Sequence, residues 1–254
     1  MQSSVRTEEC SGSEHSKIPW YWRPIDLFDR TEAEVQRRFR AESTVGRYAR
    51  GDTIFFADDA ADRVFYLDRG MAKIEHLSAT GQTSIFWFCV PGDLFGAGGI
   101  SGALWQSVYA KALEQSEVLI LPRRRFEKLI LDHPQLGLNV IRFLSARLRL
   151  ACDSMAEVGQ RASLRVGRVI LRIAESCGRW NADGEVELMA RISHQEIADM
   201  AGCTRQTVNE VLQILSRRGI LRIERRVVHI RDIEHLRMIV ENAEGQEGAS
   251  LIPD

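Results

Sequence analysis

From about Ser43 to Leu121, short apolar segments rich in β-branched and aromatic residues alternate with turn residues. Thr53–Phe56, Val64–Leu67, Ala72–Leu77, Ser84–Val90, Ser107–Leu113 and Val118–Leu121 are set apart by Gly51-Asp52, Gly70, Gly81 and Pro91-Gly92-Asp93. Many short strands with regular turn signals predict a sandwich or jelly roll. Before them, Ile18–Arg30 has aromatics broken by prolines, and Thr31–Arg40 reads as a helix with Thr31 and Glu34 as a capping box. After them the period becomes helical. Arg124–Leu131 predicts a short helix, His133-Pro134 ends it, and Pro134 opens a long one to about Val158.

In that long helix Ile141, Leu144, Leu148, Ala151, Met155 and Val158 step by three and four, an a/d seam held for more than two heptads. The seam fits a helix packed on its own domain or one paired with a second copy. Its narrowness, on a helix that joins two domains, favours a parallel dimer helix. Residues 162–176 predict another amphipathic helix, Asn181–Gly184 a turn, and Ile233–Val240 a last short helix.

Ser193–Gly219 reads as helix, tight turn and helix. Ser193 and Glu196 form a capping box, Gly202 stands where a left-handed residue ends the first helix, and Thr204 caps the second. Val208, Val211, Leu212 and Leu215 give the second helix an apolar back. Its front carries Arg205, Gln206, Asn209 and Glu210, groups suited to guanine, adenine and cytosine edges in the major groove. Ile220–Ile223 and Val227–Ile230 flank Glu224, Arg225 and Arg226, as the two strands of a wing would. Ser193, His194, Thr204, Arg225 and Arg226 are the candidate phosphate contacts.

Composition sharpens this picture. Seven arginines against two glutamates between 205 and 231 give a local charge of +5, in a chain of 254 residues whose net charge is -1. Basic charge is thus concentrated where double-stranded DNA would lie. The 44% hydrophobic and 27% charged content is that of an ordinary globular chain. No apolar run approaches the ~18 residues of a membrane span, and no secretory signal pattern is present, so no membrane partner and a cytoplasmic location are expected. Five cysteines at 10, 89, 152, 177 and 203 show no C-x2-C spacing, which argues against metal and iron–sulfur ligation. There is no P-loop, H-E-x-x-H or nucleophile elbow, so an enzyme is not expected. Cys203, beside Arg205 and a helix start, is a candidate for a lowered thiol pKa and an oxidation switch.

The order of sandwich, long helix and winged helix–turn–helix resembles the Crp/Fnr family of bacterial transcription regulators over roughly residues 25–240. The resemblance is carried by Pro91-Gly92-Asp93-Leu94-Phe95-Gly96, by Gln195-Glu196-Ile197-Ala198 and by Gly202–Val208. It implies an α+β chain with a cyclic-nucleotide-binding-like jelly roll (18–134), a dimerisation helix (135–160) and a winged helix–turn–helix (161–240); the polar composition of 1–17 and 241–254 predicts disordered tails on either side. It also implies a homodimer on a near-palindromic operator, RNA polymerase as a partner, and a small-molecule effector. The effector site would lie at Gly96, Ala97, Gly98, Gly99, Gln106 and Ser107, facing Ala151 and Cys152 on the dimer helix.

Cyclic-AMP-binding members resemble one another in a Gly-Glu-Leu-Gly turn followed by an Arg-Ser pair. Here Ala97 stands for the Glu and Gln106 for the Arg, while Ala151 and Cys152 replace hydroxyls that would face adenine. A buried phosphate without its cation is costly, which argues against cyclic AMP. The glycines also fit an amide-lined nest for another anion, or simply a tight turn. A haem alternative rests on His76, Cys89 and the Phe86-Trp87-Phe88 run, and a further alternative is a degenerate sensor on a ligand-independent DNA-binding protein.

Overall fold

The computed structural model describes residues 19–22, 24–181, 184–188, 192–224 and 227–242. The tail expected at 1–17, nearly all of that at 241–254, and the wing residues Arg225 and Arg226 lie outside them.

Eight strands form the sensor: β1 (Thr44–Tyr48), β2 (Thr53–Phe55), β3 (Arg63–Arg69), β4 (Ala72–Leu77), β5 (Thr83–Cys89), β6 (Leu94–Phe95), β7 (Tyr109–Ala112) and β8 (Ser116–Pro122). They pair antiparallel in two four-stranded sheets, ordered β1-β8-β3-β6 and β2-β7-β4-β5. Alternate residues turn inward, so Phe55, Phe65 and Phe95 stack at 4.9–6.2 Å beside Leu67, Ile74, Cys89 and Val118. The six segments marked by the hydrophobic pattern all appear as strands. The pattern misses β1, an edge strand with no buried residue, and the two-residue β6.

The predicted capping box at Thr31 does not form. Helix α1 (Ala33–Glu42) takes Glu32 as its N-cap, without a side-chain cap. The Thr31 hydroxyl instead donates to the Phe28 carbonyl at 2.8 Å, closing the preceding turn, and Glu34 pairs with Arg37 at 2.7 Å. A second core lies where α1, α2 (Arg123–Asp132) and the start of α3 (Pro134–Ala156) cover the β1-β8-β3-β6 sheet. There Phe39 meets Phe28, Tyr66 and Phe126 edge-on at 5.4–6.0 Å. The buried Asn139 amide donates to the carbonyls of Leu27 (3.0 Å) and Asp29 (2.7 Å), fixing α3 to this layer.

A short 3-10 turn (Glu157–Gly159) leads to α4 (Ala162–Cys177), α5 (His194–Ala201), α6 (Arg205–Arg217) and α7 (Ile233–Asn242). The expected two-stranded wing is part of a larger sheet. Strands β11 (Leu221–Glu224) and β12 (Val227–Ile230) continue through β10 (Val186–Glu187) to β9 (Arg179–Trp180). Between β9 and β10, strands too short to show a period, the Gly184 amide donates to the Asn181 carbonyl at 3.2 Å, while the middle of the predicted Asn181–Gly184 turn lies outside the described residues.

The two domains are docked. Met71, Ile85, Phe88 and Leu113 of the sensor share one apolar cluster with the reader core, including Ile197 and Ala198 of α5. An ion network borders it: Glu75 takes Lys111 at 2.6 Å and Lys73 at 3.0 Å, and Lys73 reaches Glu196 of α5 at 3.3 Å. Burial raises the Glu75 carboxyl, but Lys111 and Lys73 more than offset this and hold it below its ordinary 4.5. A carboxylate lowered in the folded state contributes stability that is complete above its unfolded pKa and is lost as pH falls through the folded one. The stability difference between the parent and Glu75→Gln, from urea unfolding, should therefore be full at neutral pH and shrink as pH drops below 4.5. A difference independent of pH would remove the network from the docking account.

Candidate nucleic-acid interface and effector turn

The start of α5 is built as its sequence suggests. The Ser193 hydroxyl accepts from the Glu196 amide at 3.2 Å, and the Glu196 carboxylate accepts from the Ser193 amide at 2.7 Å. Gly202 ends the helix at φ 61°, in the left-handed region that favours glycine. Thr204 then caps α6 by accepting from the Thr207 amide at 3.2 Å. The turn between the helices is held from α4 by a residue that no sequence pattern marks. The Arg165 guanidinium donates to the carbonyls of Ala201 (2.8 Å) and Gly202 (3.0 Å), satisfying groups that a helix end leaves open.

Val208, Val211, Leu212 and Leu215 of α6 are buried, while Arg205, Gln206 and Glu210 are exposed. Asn209 is not a free reader. Its Oδ1 lies 2.6 Å from His194 Nδ1, so the ring donates to the amide and ties the start of α5 to α6. Gln206 donates to Glu210 at 3.0 Å, one turn along the same face. Two expected phosphate contacts, Ser193 and Thr204, lie at the two helix starts and are exposed; His194 is partly so. The other two, Arg225 and Arg226, are outside the described residues.

The candidate effector turn is satisfied from within. Gly96 opens it at φ 67°, and Gly99 lies so close to the Ala61 carbonyl that a Cβ would stand 1.8 Å from the oxygen. Buried Gln106 donates to the Gly96 carbonyl at 3.1 Å, and Arg123 donates to the Gly99 carbonyl at 2.7 Å. The position of the missing phosphate-binding arginine thus holds an amide that ties down the turn, and the adjacent guanidinium is engaged with backbone. Ala97 is partly buried, and Gly98 and Ser107 are exposed. Ala151 and Cys152 are also exposed, on the outer face of α3.

That outer face holds the whole predicted seam. Helix α3 buries Leu136, Val140, Phe143, Ala146 and Leu150 against its own protomer and leaves Ile141, Leu144, Leu148, Ala151 and Met155 on the exposed side, while Val158, also exposed, falls in the 3-10 turn that follows. The helix therefore has two apolar faces.

The haem alternative does not assemble. Cys89 is buried in the sandwich, with its thiol pKa raised by burial, and pairs with Ala72 in the β4–β5 ladder. His76 is exposed against Phe86 and pairs with Ser84, several residues along the same hairpin. The expected activation of Cys203 is reversed. Burial raises its thiol pKa, and Arg165, not Arg205, is the cation that partly opposes this. Among the described residues no cluster of three or more His, Cys, Asp or Glu has a metal-holding arrangement.

A capped helix pair with an apolar back, a polar front and a winged sheet defines a DNA-binding regulator of the helix–turn–helix class. Family models agree: the cyclic nucleotide-binding domain matches residues 45–133 and the Crp-like helix-turn-helix domain matches residues 164–239. The chain belongs to the Crp/Fnr family of transcription regulators. It is 28% identical over 227 residues to the transcriptional regulatory protein btr of Bordetella pertussis, covering 88% of each chain. It is 26% identical over 190 residues to the CRP-like cAMP-activated global transcriptional regulator of Mycobacterium tuberculosis, covering 74% of this chain and 84% of that one. Among solved structures, FixK2 from Bradyrhizobium japonicum superposes with a TM-score of 0.67 at 26% identity, over 77% of this chain and 96% of that one. The protein is accordingly a DNA-binding transcription regulator and not an enzyme. No helix among the described residues is long and apolar enough to cross a membrane.

Proposed function

We propose that the protein acts as a homodimer on a near-palindromic operator, one α6 per half-site, and that its sensor gates DNA binding through a ligand other than cyclic AMP. The observation that carries this reading is the second apolar face of α3. Ile141, Leu144, Leu148, Met155 and Val158 are 46–74% exposed in the protomer, in a row at a/d spacing. A two-fold pair of α3 helices would cover that row and set the two readers about one helical turn of DNA apart. Such a pair would also cover Ala151 and Cys152.

On DNA, Arg205 is the guanine reader and Gln206, beside it in the first turn, contacts a neighbouring base. Asn209 acts first by holding His194, and Glu210 directs Gln206. Backbone contacts come from Ser193, His194, Thr204 and the wing arginines Arg225 and Arg226. RNA polymerase is the further partner that a regulator of this class engages. Against cyclic AMP stand Gln106, turned to the Gly96 carbonyl, and Arg123, turned to that of Gly99.

The test uses an operator selected from random DNA. Leu148→Glu places two carboxylates face to face in a dry seam, so light scattering should show monomer and operator affinity should fall with it. A tight Leu148→Glu dimer would overturn the seam. Arg205→Ala should cost about 1–3 kcal/mol on the selected operator and little on random DNA. Equal loss on both would make Arg205 a phosphate contact. Saturating cyclic AMP should leave operator affinity unchanged, and a gain would restore it as the effector.

A further inference from the structure

Two amides stand on the first turns of the α6 front, and both are engaged within the protein, in opposite senses. Gln206 donates through its nitrogen to Glu210 Oε1 at 3.0 Å. Asn209 is engaged through its oxygen: Oδ1 lies 2.6 Å from Nδ1 of His194, the first residue of α5. An amide oxygen has lone pairs only, so the ring supplies the proton, and the neutral imidazole carries its hydrogen on Nδ1. Both partners stand on anchored helices. Ser193 and Glu196 cap the first turn of α5, and Val208 and Val211, on either side of Asn209 in sequence, seat α6 in the reader core.

The consequence is a polarity. The Asn209 oxygen is turned to α5, and its nitrogen is the end left over. Among the described residues that nitrogen has no hydrogen-bond acceptor, and it is not enclosed. Glu210, the carboxylate next to it in sequence, is taken by Gln206. An asparagine that reads adenine uses both ends of its amide at once, accepting from N6 and donating to N7. With the oxygen committed to His194, the amide offers hydrogen. The major-groove acceptors that suit it are O6 and N7 of guanine and O4 of thymine. Cytosine presents a donor there, and adenine sets its N6 donor beside N7.

We propose that His194 makes Asn209 a donor-only reader, which selects a keto base, guanine or thymine, on the strand it faces. His194 is here a positioning residue, acting on the base through Asn209. The inference rests on the reading above that α6 lies in the major groove, and it adds the chemistry of one base pair to that reading. A backbone contact from His194 would strengthen binding to all sequences alike, whereas its hold on Asn209 changes the ratio between base pairs.

The experiment uses the full chain and the selected operator, with each half-site position changed to all four base pairs and affinities read by fluorescence anisotropy. Asn209→Ala locates its base pair as the position where discrimination is lost. There the parent should favour G·C and T·A, which keep the keto base on one strand, over C·G and A·T. The preference should be about three- to tenfold, the effect of one hydrogen bond. Asn209→Asp puts an oxygen where the nitrogen points, so the favoured orientation should invert. His194→Ala releases the amide oxygen, so A·T should gain on G·C, whatever loss is common to all four pairs. If the added charge of Asn209→Asp abolishes binding, His194→Ala decides alone. The proposal is overturned if the parent favours A·T alone, if Asn209→Asp keeps the parent's orientation, if His194→Ala keeps the parent's ratios, or if Asn209→Ala changes no ratio. Arg205→Ala tests the placing of α6 at a different base pair, so a failure of that placing shows there as well, and a failure at Asn209 alone belongs to this inference.

Discussion

The rest of the structure depends on the two-faced burial of α3. One face, through Leu136, Val140, Phe143, Ala146 and Leu150, closes the sensor core. The other carries the Leu148 seam into solvent. A helix that serves one domain needs a single apolar stripe. A second exposed stripe at a/d spacing is what the proposed pairing of two α3 helices would cover. The fixed attachment matters as much as the exposed one. Asn139 ties α3 to the Leu27–Asp29 backbone of its own protomer.

At the other end of α3 the joint is polar. The turn after it buries Glu157, which faces Arg168 and Arg172 of α4, and Arg165 holds the helix–turn–helix corner. Breaking such a buried pair is far more costly than forming it is favourable, so it fixes geometry more than it adds stability. The docked reader then rests on the sensor through Met71, Ile85 and Phe88, with Lys73 linking Glu75 to Glu196. Glu196 is both half of the α5 capping box and an end of the ion network. The β4–β5 hairpin and the start of the first reader helix thus share one ion network, the kind of shared element that the proposed gating would use.

Much of this was legible because the signals are local. The α3 seam is a repeat within one helix, and the α5–α6 corner is announced by Ser193, Glu196, Gly202 and Thr204 in their cap positions. Local reading failed where a neighbour had a prior claim. Thr31 carries the right spacing to Glu34, yet its hydroxyl is taken by the Phe28 carbonyl. Cys203 sits before a helix, yet burial raises its thiol pKa more than Arg165 lowers it. Asn209 faces outward by periodicity, yet His194 occupies it. The strands β9 and β10 are two residues each and have no period to read.

The most direct measurement asks whether the outer face of α3 pairs with itself in parallel. Ile141 and Val158 lie at the two ends of the seam, Ile141 on α3 and Val158 in the 3-10 turn that follows it. In a Cys152→Ser background, Ile141→Cys should form a disulfide with its own copy on mild oxidation, doubling the 28.8 kDa chain on a non-reducing gel. A parallel two-fold pair sets each seam position against itself. Failure of Ile141→Cys to crosslink, together with efficient crosslinking when Ile141→Cys is mixed with Val158→Cys, would mean an antiparallel pair. A monomer in both samples would mean that α3 serves its own protomer alone.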